Sequence, residues 1–103
     1  MVIDKALNQI GIAMKARQLV SGEFACEQAI KEGKAFLCIV AKDASENTKK
    51  AFSNSCAYYE VSYIEYGTKE SLGHAIGKEY RASIVVCDER LSQSILDKMS
   101  FED

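Results

Sequence analysis

Residues 36–41 read Phe-Leu-Cys-Ile-Val-Ala, an unbroken apolar run that stops at Lys42. Its length suits a strand, and a strand that is apolar at every position has no face to offer to water. It therefore belongs in a sheet covered on both sides. Residues 83–87, Ser-Ile-Val-Val-Cys, repeat the pattern near the other end of the chain. Everything around these two runs has to supply the cover.

The flanking segments read as helices and shorter strands. Ile3, Leu7, Ile10 and Met14 recur at helical spacing and predict a first helix over about 3–16. Gln18, Leu19 and Val20 make a short strand. Ser21 and Gly22 then open a second helix with Cys26, Ala29 and Ile30 on its core face and Gly33 just past its end. Asp43 and Glu46 have capping-box spacing and start a third helix over about 44–58. Val61 to Tyr66 is a further strand. Thr68 caps a short helix over about 69–77, and Asp88 caps a last one with Leu91, Ile95 and Met99 inward. Helix and strand alternate throughout, which predicts an α/β fold: a three-layer α/β/α sandwich around a small sheet of about four strands. The pattern does not set strand directions, and a mixed sheet is the expectation.

The chain has 103 residues, the size of one domain, so residues 1–103 are expected to form a single unit. Hydrophobic residues are 48% and charged residues 27%, which excludes a disordered chain. No apolar run reaches the roughly 18 residues of a membrane span, and the first twenty lack a signal-peptide core. A cytoplasmic protein without a membrane partner is expected. Cys26, Cys38, Cys56 and Cys87 are widely spaced and lie in apolar patterns, so buried reduced thiols are expected rather than a redox pair or a metal site. Net charge is −2; residues 1–50 carry eight basic and six acidic groups, residues 51–103 five and nine. That bias is too mild to advertise a nucleic-acid partner on its own.

The stretch Leu-Gly-His-Ala-Ile-Gly-Lys-Glu at 72–79 resembles half of a phosphate-binding loop. A Walker loop needs four residues between its glycines, a hydroxyl after the lysine and a preceding strand. Here three residues intervene, Glu79 stands at the hydroxyl position, and the stretch ends a helix. The P-loop reading fails on these three counts. Gly73 and Gly77 suit close packing on one helix face, or the approach of an external backbone. His74 is the single histidine and has no evident nucleophile to serve, so no catalytic centre and no cofactor are expected. Tyr58, Tyr59, Tyr63 and Tyr66 read more readily as packing residues than as a platform for bases. Three polar stretches remain: Ser-Gly-Glu-Phe at 21–24, the segment 42–50 with Lys42, Asn47, Lys49 and Lys50, and Thr-Lys-Glu-Ser-Leu-Gly at 68–73. Each lies at a connection that the sandwich can bring to one edge, and the first opens a helix, where free N–H groups favour an anion.

The ordered set Ser-Gly-Glu, Lys-Ala-Phe-Leu-Cys-Ile-Val-Ala-Lys-Asp-Ala-Ser, Leu-Gly-His-Ala-Ile-Gly-Lys-Glu and Ser-Ile-Val-Val-Cys-Asp is similar to the ribosomal protein seven-Ae/thirty-e superfamily of kink-turn RNA binders, most of all its small bacterial branch. The likeness covers about residues 8–98. It implies the same sandwich and a non-enzymatic RNA-binding protein, with ribosomal or regulatory RNA and the ribosome or translation factors as partners and no DNA. In such proteins the loop opening the second helix reads tandem G·A pairs in the major groove, and the glycine-motif loop covers bulged nucleotides. By position, Gly22 matches the helix-opening glycine, Lys42 and Asp43 fall in the next loop, and Leu72, Gly73, Ala75 and Gly77 match the glycine motif. The implied RNA contacts are Ser21, Gly22, Glu23, Phe24 and Gln28; Lys42, Asp43, Asn47 and Lys50; and Lys69, Ser71, Leu72, Gly73 and His74. Phe24 and Ala25 stand where the strongest kink-turn binders have Asn-Glu, and Gln28 stands where they have lysine. Apolar groups cannot bond to guanine edges. The resemblance therefore implies altered or weakened specificity, with Glu23 on a base edge or Phe24 stacked on an unpaired base. The alternative is a protein-interaction or ribosome-assembly module that kept the fold and lost kink-turn recognition.

Overall fold

The computed structural model describes residues 4–99; Ile3, Glu102 and Asp103 lie outside them. Five helices and four strands alternate: α1 Lys5–Lys15, β1 Leu19–Ser21, α2 Glu23–Lys31, β2 Leu37–Val40, α3 Glu46–Tyr59, β3 Ser62–Glu65, α4 Lys69–Ala75, β4 Ser83–Val86 and α5 Glu89–Met99. The strand order is β1-β4-β2-β3. Only β2 and β3 run parallel; β4 is antiparallel to both β2 and β1. The sheet is mixed, as expected.

The two apolar runs are the two central strands. Every residue of β2 and β4 is buried, because α1 packs with α4 and α5 while α2 packs with α3, leaving the sheet between the two groups. Leu37 lies across from Val86, Cys38 from Val85 and Ile39 from Ile84, so each face of the sheet presents an unbroken apolar strip. The ladder extends one residue past β2 at both ends, through Phe36 N–H to Val86 O (2.9 Å) and Ala41 N–H to Ala82 O (2.9 Å). Phe36 itself is 45% exposed, so the covered strip starts at Leu37. Phe52 of α3 is the largest fully buried side chain among the described residues.

Caps and left-handed residues replace proline as punctuation. Asp4 accepts from Leu7 N (2.9 Å), Thr68 from Ser71 N (3.0 Å) and Asp88 from Leu91 N (2.9 Å). Helices α1, α2 and α4 end on Arg17, Gly33 and Gly77, each with positive φ. In α4 the reversed bonds of the Schellman motif run from Lys78 N to Gly73 O (2.8 Å) and from Gly77 N to His74 O (3.2 Å). Gly77 thus lies past the helix and does not share a helical face with Gly73. Asp43 does not cap α3 either. Ser45 does so, accepting from Thr48 N at 3.1 Å, because Ala41 to Ala44 form a tight turn that delays the helix start to Glu46. Ser21 belongs to β1, not to the opening of α2.

Three of the four thiols are buried between the sheet and the helices, and none is paired in a disulfide. Burial pushes the Cys26 thiol up to about 12 from its ordinary 9.0. The Cys38 thiol is also raised, first by its hydrogen bond with Cys56 and then by burial. A group whose folded pKa is raised stabilises the fold fully below its unfolded pKa, and that contribution is lost as pH climbs through the folded value.

The urea midpoint should therefore fall between about pH 9 and about 12, less steeply in Cys26→Ala. In the native protein at neutral pH, Ellman's reagent should react readily with Cys87 alone; unfolding in guanidinium should release all four thiols. Phe52→Ala empties a fully buried site and should cost about 3–5 kcal/mol by urea denaturation.

Candidate nucleic-acid interface

The strand directions bring four connections to one edge of the sheet. Strands β2 and β3 are parallel, so the turn after β2 and the turn after β3 leave together. Strand β4 runs the opposite way, so the segment that leads into it, Tyr80–Ala82, lies at the same end. Strand β1 is antiparallel to β4 and ends there, at Ser21 and Gly22.

Hydrogen bonds knit these connections into one surface. Gly22 N–H donates to Ser83 O (3.1 Å), and Ser21 Oγ accepts from Arg81 Nε (3.1 Å). Arg81 Nη1 donates to Tyr80 O (2.6 Å), and the Arg81 backbone N–H donates to Lys69 O (3.0 Å). Lys69 N–H donates to Asp43 Oδ1 (2.8 Å), and Lys42 N–H to Gly67 O (2.9 Å). The path runs without a break from residue 21 to residue 67. Arg81 is its centre, and neither its position nor its bonds stand out in the sequence, where it is one arginine before a buried strand.

The residues expected at the interface divide by what they do here. Glu23, Phe24, Lys42, Asn47, Lys50 and Lys69 are exposed on this edge or on the first turns of the helices that start from it. Phe24 is 81% exposed. Among the described residues, no carboxylate pairs with Lys42, Lys50 or Lys69, whereas Lys49 is held by Glu46 (3.6 Å) and Glu65 (3.8 Å). Ser21 and Asp43 are taken up by the bonds between loops. Ser71 is taken up by its capping box with Thr68. Gln28 donates to Glu32 at 2.7 Å. That bond, and then Lys34 at 3.0 Å, hold the Glu32 carboxyl below the usual range. Leu72 is fully buried and contributes to the core. His74 is exposed in a groove of about 540 Å³ between α1 and α4, beside Asn8, Ile12 and Lys15. Tyr63 and Tyr66 pack against the core. Tyr58 and Tyr59 end α3 and meet edge to face, with ring centroids 4.8 Å apart.

Two glycines are needed for different reasons. Gly22 has φ 93° and ψ 153°, a region closed to side chains, although a Cβ would meet no atom within 4 Å. It turns β1 into α2 with no capping side chain, and so leaves the first N–H groups of the helix facing the edge. Gly73 has an ordinary helical backbone, but a Cβ there would lie 2.7 Å from Glu79 O and 2.9 Å from Tyr80 Cα. Its bare face seats the 79–80 segment on α4. Gly11, which carries no signal in the sequence, does the same for α1, where a Cβ would come 2.8 Å from Ala75 O.

Gly22→Ala should cost on the order of 1–3 kcal/mol through backbone strain alone, by urea denaturation. Asp43→Ala removes the acceptor at the start of α4 and should cost about 1 kcal/mol. Amide hydrogen exchange should show the Lys69 N–H losing protection in that variant, whereas Thr48 N–H, held by Ser45, keeps its own.

The chain is similar to known proteins in sequence and in fold. The chain is 36% identical over 87 residues to the "RNA-binding protein YlxQ" of Bacillus subtilis, covering 84% of this chain and 87% of that protein. It is 43% identical over 74 residues to the "RNA-binding protein YlxQ" of Enterococcus faecium, covering 72% of each. A solved structure of a Bacillus halodurans protein of unknown function superposes with TM-score 0.91 at 34% identity, over 95% of this chain and 99% of that one. The Giardia lamblia 15.5kD RNA binding protein shares the fold, with TM-score 0.78 at 18% identity over 98% of this chain and 90% of that one. The family model described as "Ribosomal protein L7Ae/L30e/S12e/Gadd45 family" matches residues 4–96, and the chain belongs to that family.

Proposed function

We propose that the edge formed by Ser21–Phe24, Lys42–Lys50 and Thr68–Lys69 binds structured RNA without catalysing a reaction on it. The observation that carries this reading is the hydrogen-bonded path from Ser21 through Arg81 and Lys69 to Asp43, which presents three polar connections as one pre-organised surface. Pre-organisation matters because ordering loops at the moment of binding would cost free energy. The edge offers cations and backbone donors together. Lys42, Lys50 and Lys69 have no competing carboxylate among the described residues, so their ammonium groups are available to phosphates. The uncapped start of α2 adds N–H groups and the positive end of a helix dipole. The relatives carry the name RNA-binding protein, which supports RNA as the ligand.

The RNA is proposed to be ribosomal or otherwise related to translation, kinked or bulged rather than a plain duplex, and met in the cytoplasm. A net charge of −2 gives little long-range attraction, so affinity has to come from contacts at this edge rather than from the field of the whole molecule. Phe24 and Ala25 supply no hydrogen bonds to guanine edges. A standard kink-turn is therefore expected to bind less selectively than the fold alone would suggest.

Mobility-shift titrations over a range of salt, against a kink-turn RNA and a fully paired duplex, test the reading. The kinked RNA should bind more tightly and survive moderate salt. Equal micromolar binding to both, abolished by moderate salt, would reduce the interaction to non-specific electrostatics and sink the proposal. Each of Lys42→Ala, Lys50→Ala and Lys69→Ala should lower the salt slope by about 1 and weaken all RNAs alike. A partner recovered from lysate that survives nuclease treatment would instead support a protein-interaction module.

A further inference from the structure

Strand β1 is an edge of the sheet. Cys87 N–H donates to Gln18 O (2.8 Å) and Gly22 N–H to Ser83 O (3.1 Å), so residues 18, 20 and 22 turn their backbone groups toward β4. Leu19 and Ser21 therefore turn theirs outward, where no other group among the described residues bonds to them. Beside this bare edge a groove of about 310 Å³ runs along α2. Val20, Ala25, Ala29 and Cys87 give it an apolar lining. The rim side chains Gln28, Glu32 and Lys34 bond to one another and need no outside charge. Phe24 stands at one end of the groove, 81% exposed.

A bare edge strand, an apolar groove and an unburied ring on one side of a molecule fit a second copy of the same molecule. A two-fold axis through Val20, perpendicular to the sheet, sets β1 antiparallel to itself. Leu19 then lies across from Ser21 of the other copy, and each of the two such pairs exchanges both of its N–H···O bonds. The axis keeps the two α2 helices on one face of the enlarged sheet. It carries Phe24 of each copy toward the Ala29 and Cys87 end of the other's groove. It also sets charge against charge. Arg17 precedes β1 and Glu23 follows it, both exposed and neither in an ion pair among the described residues. The two are equally spaced from Val20, so Arg17 of each copy reaches the end of the ladder where Glu23 of the other stands. Such a contact is isologous and closes on itself, which covers both β1 edges.

We infer that the β1 edge and the α2 groove form a self-association face whose partner is a second copy of this chain. The inference does not rest on the RNA reading, but Glu23 and Phe24 belong to both surfaces. A second copy and an RNA at the start of α2 therefore exclude one another.

Sedimentation equilibrium of the full chain, free of RNA, should show a mass that rises with concentration from 11.4 kDa toward twice that value. Phe24→Ala should weaken the dimer about tenfold or more. Arg17→Glu and Glu23→Arg should each weaken it, and the variant carrying both should recover it, because the pair is only reversed. Thermal melts check that each variant folds. In a Cys87→Ser background, Val20→Cys sets two thiols across the axis in a non-hydrogen-bonded pair, with Cα atoms about 4.5 Å apart, and mild oxidation should link the dimer. Tyr58→Cys, exposed at the end of α3, should not link it. The linked dimer should bind a kink-turn RNA more weakly than its reduced form. A chain that stays monomeric through the high micromolar range overturns the inference. So does a dimer that neither Phe24→Ala nor the charge reversals weaken and that Val20→Cys does not link. Equal RNA binding by the linked and reduced forms overturns the exclusion alone.

Discussion

Strand β4 runs against both of its neighbours, and the rest of the molecule's layout follows from that. In a parallel arrangement the segment entering β4 would lie at the far end of the sheet from the turns that leave β2 and β3. Reversing β4 places Tyr80–Ala82 beside those turns, and pairing β1 antiparallel to β4 adds Ser21 and Gly22. All four strands therefore contribute to one edge through segments far apart in sequence. Reversal has no cost in burial, because helices cover both faces and β4 is apolar throughout.

On that edge the polar side chains fall into two groups. Ser21, Asp43 and Arg81 bond to neighbouring loops, Ser71 closes the capping box of α4, and together they hold the surface in shape. Lys42, Asn47, Lys50 and Lys69, with the rings of Phe24 and Tyr80, face water. Charge and size alone do not separate the groups. Asp43 and Glu23 are both exposed acids, but Asp43 accepts from a backbone N–H 26 residues away, and its loss would loosen the surface rather than remove a contact. A surface built this way presents few groups of its own, and most of its chemistry serves to keep it rigid.

The layers and the element order were legible because each depends on local pattern. Apolar runs mark strands buried on both sides, and helical spacing marks the covering faces. Element ends were legible where one residue decides them: Asp4 was not read as a cap, but Thr68, Asp88 and Gly33 were, and the structure uses all four. Asp43 was misread because capping-box spacing describes only two residues. The turn at Ala41–Ala44 comes first, leaves Ser45 at the helix start and frees Asp43 to reach α4. The glycine motif was recognisable as a site of close approach. That the approaching backbone is the chain's own Glu79–Tyr80 segment was not.

The sequence by itself determined the α/β/α sandwich, the helix caps at Thr68 and Asp88, and the three polar connections that could form a surface. It did so because hydrophobic period and capping chemistry act over a few residues. Tertiary structure alone decided strand direction, the convergence of residues 21, 43, 69 and 81, and the inward turn of Leu72. Those depend on which surfaces meet once the helices cover the sheet, and hydrogen bonds spanning 26 and 60 residues leave no local mark in the chain.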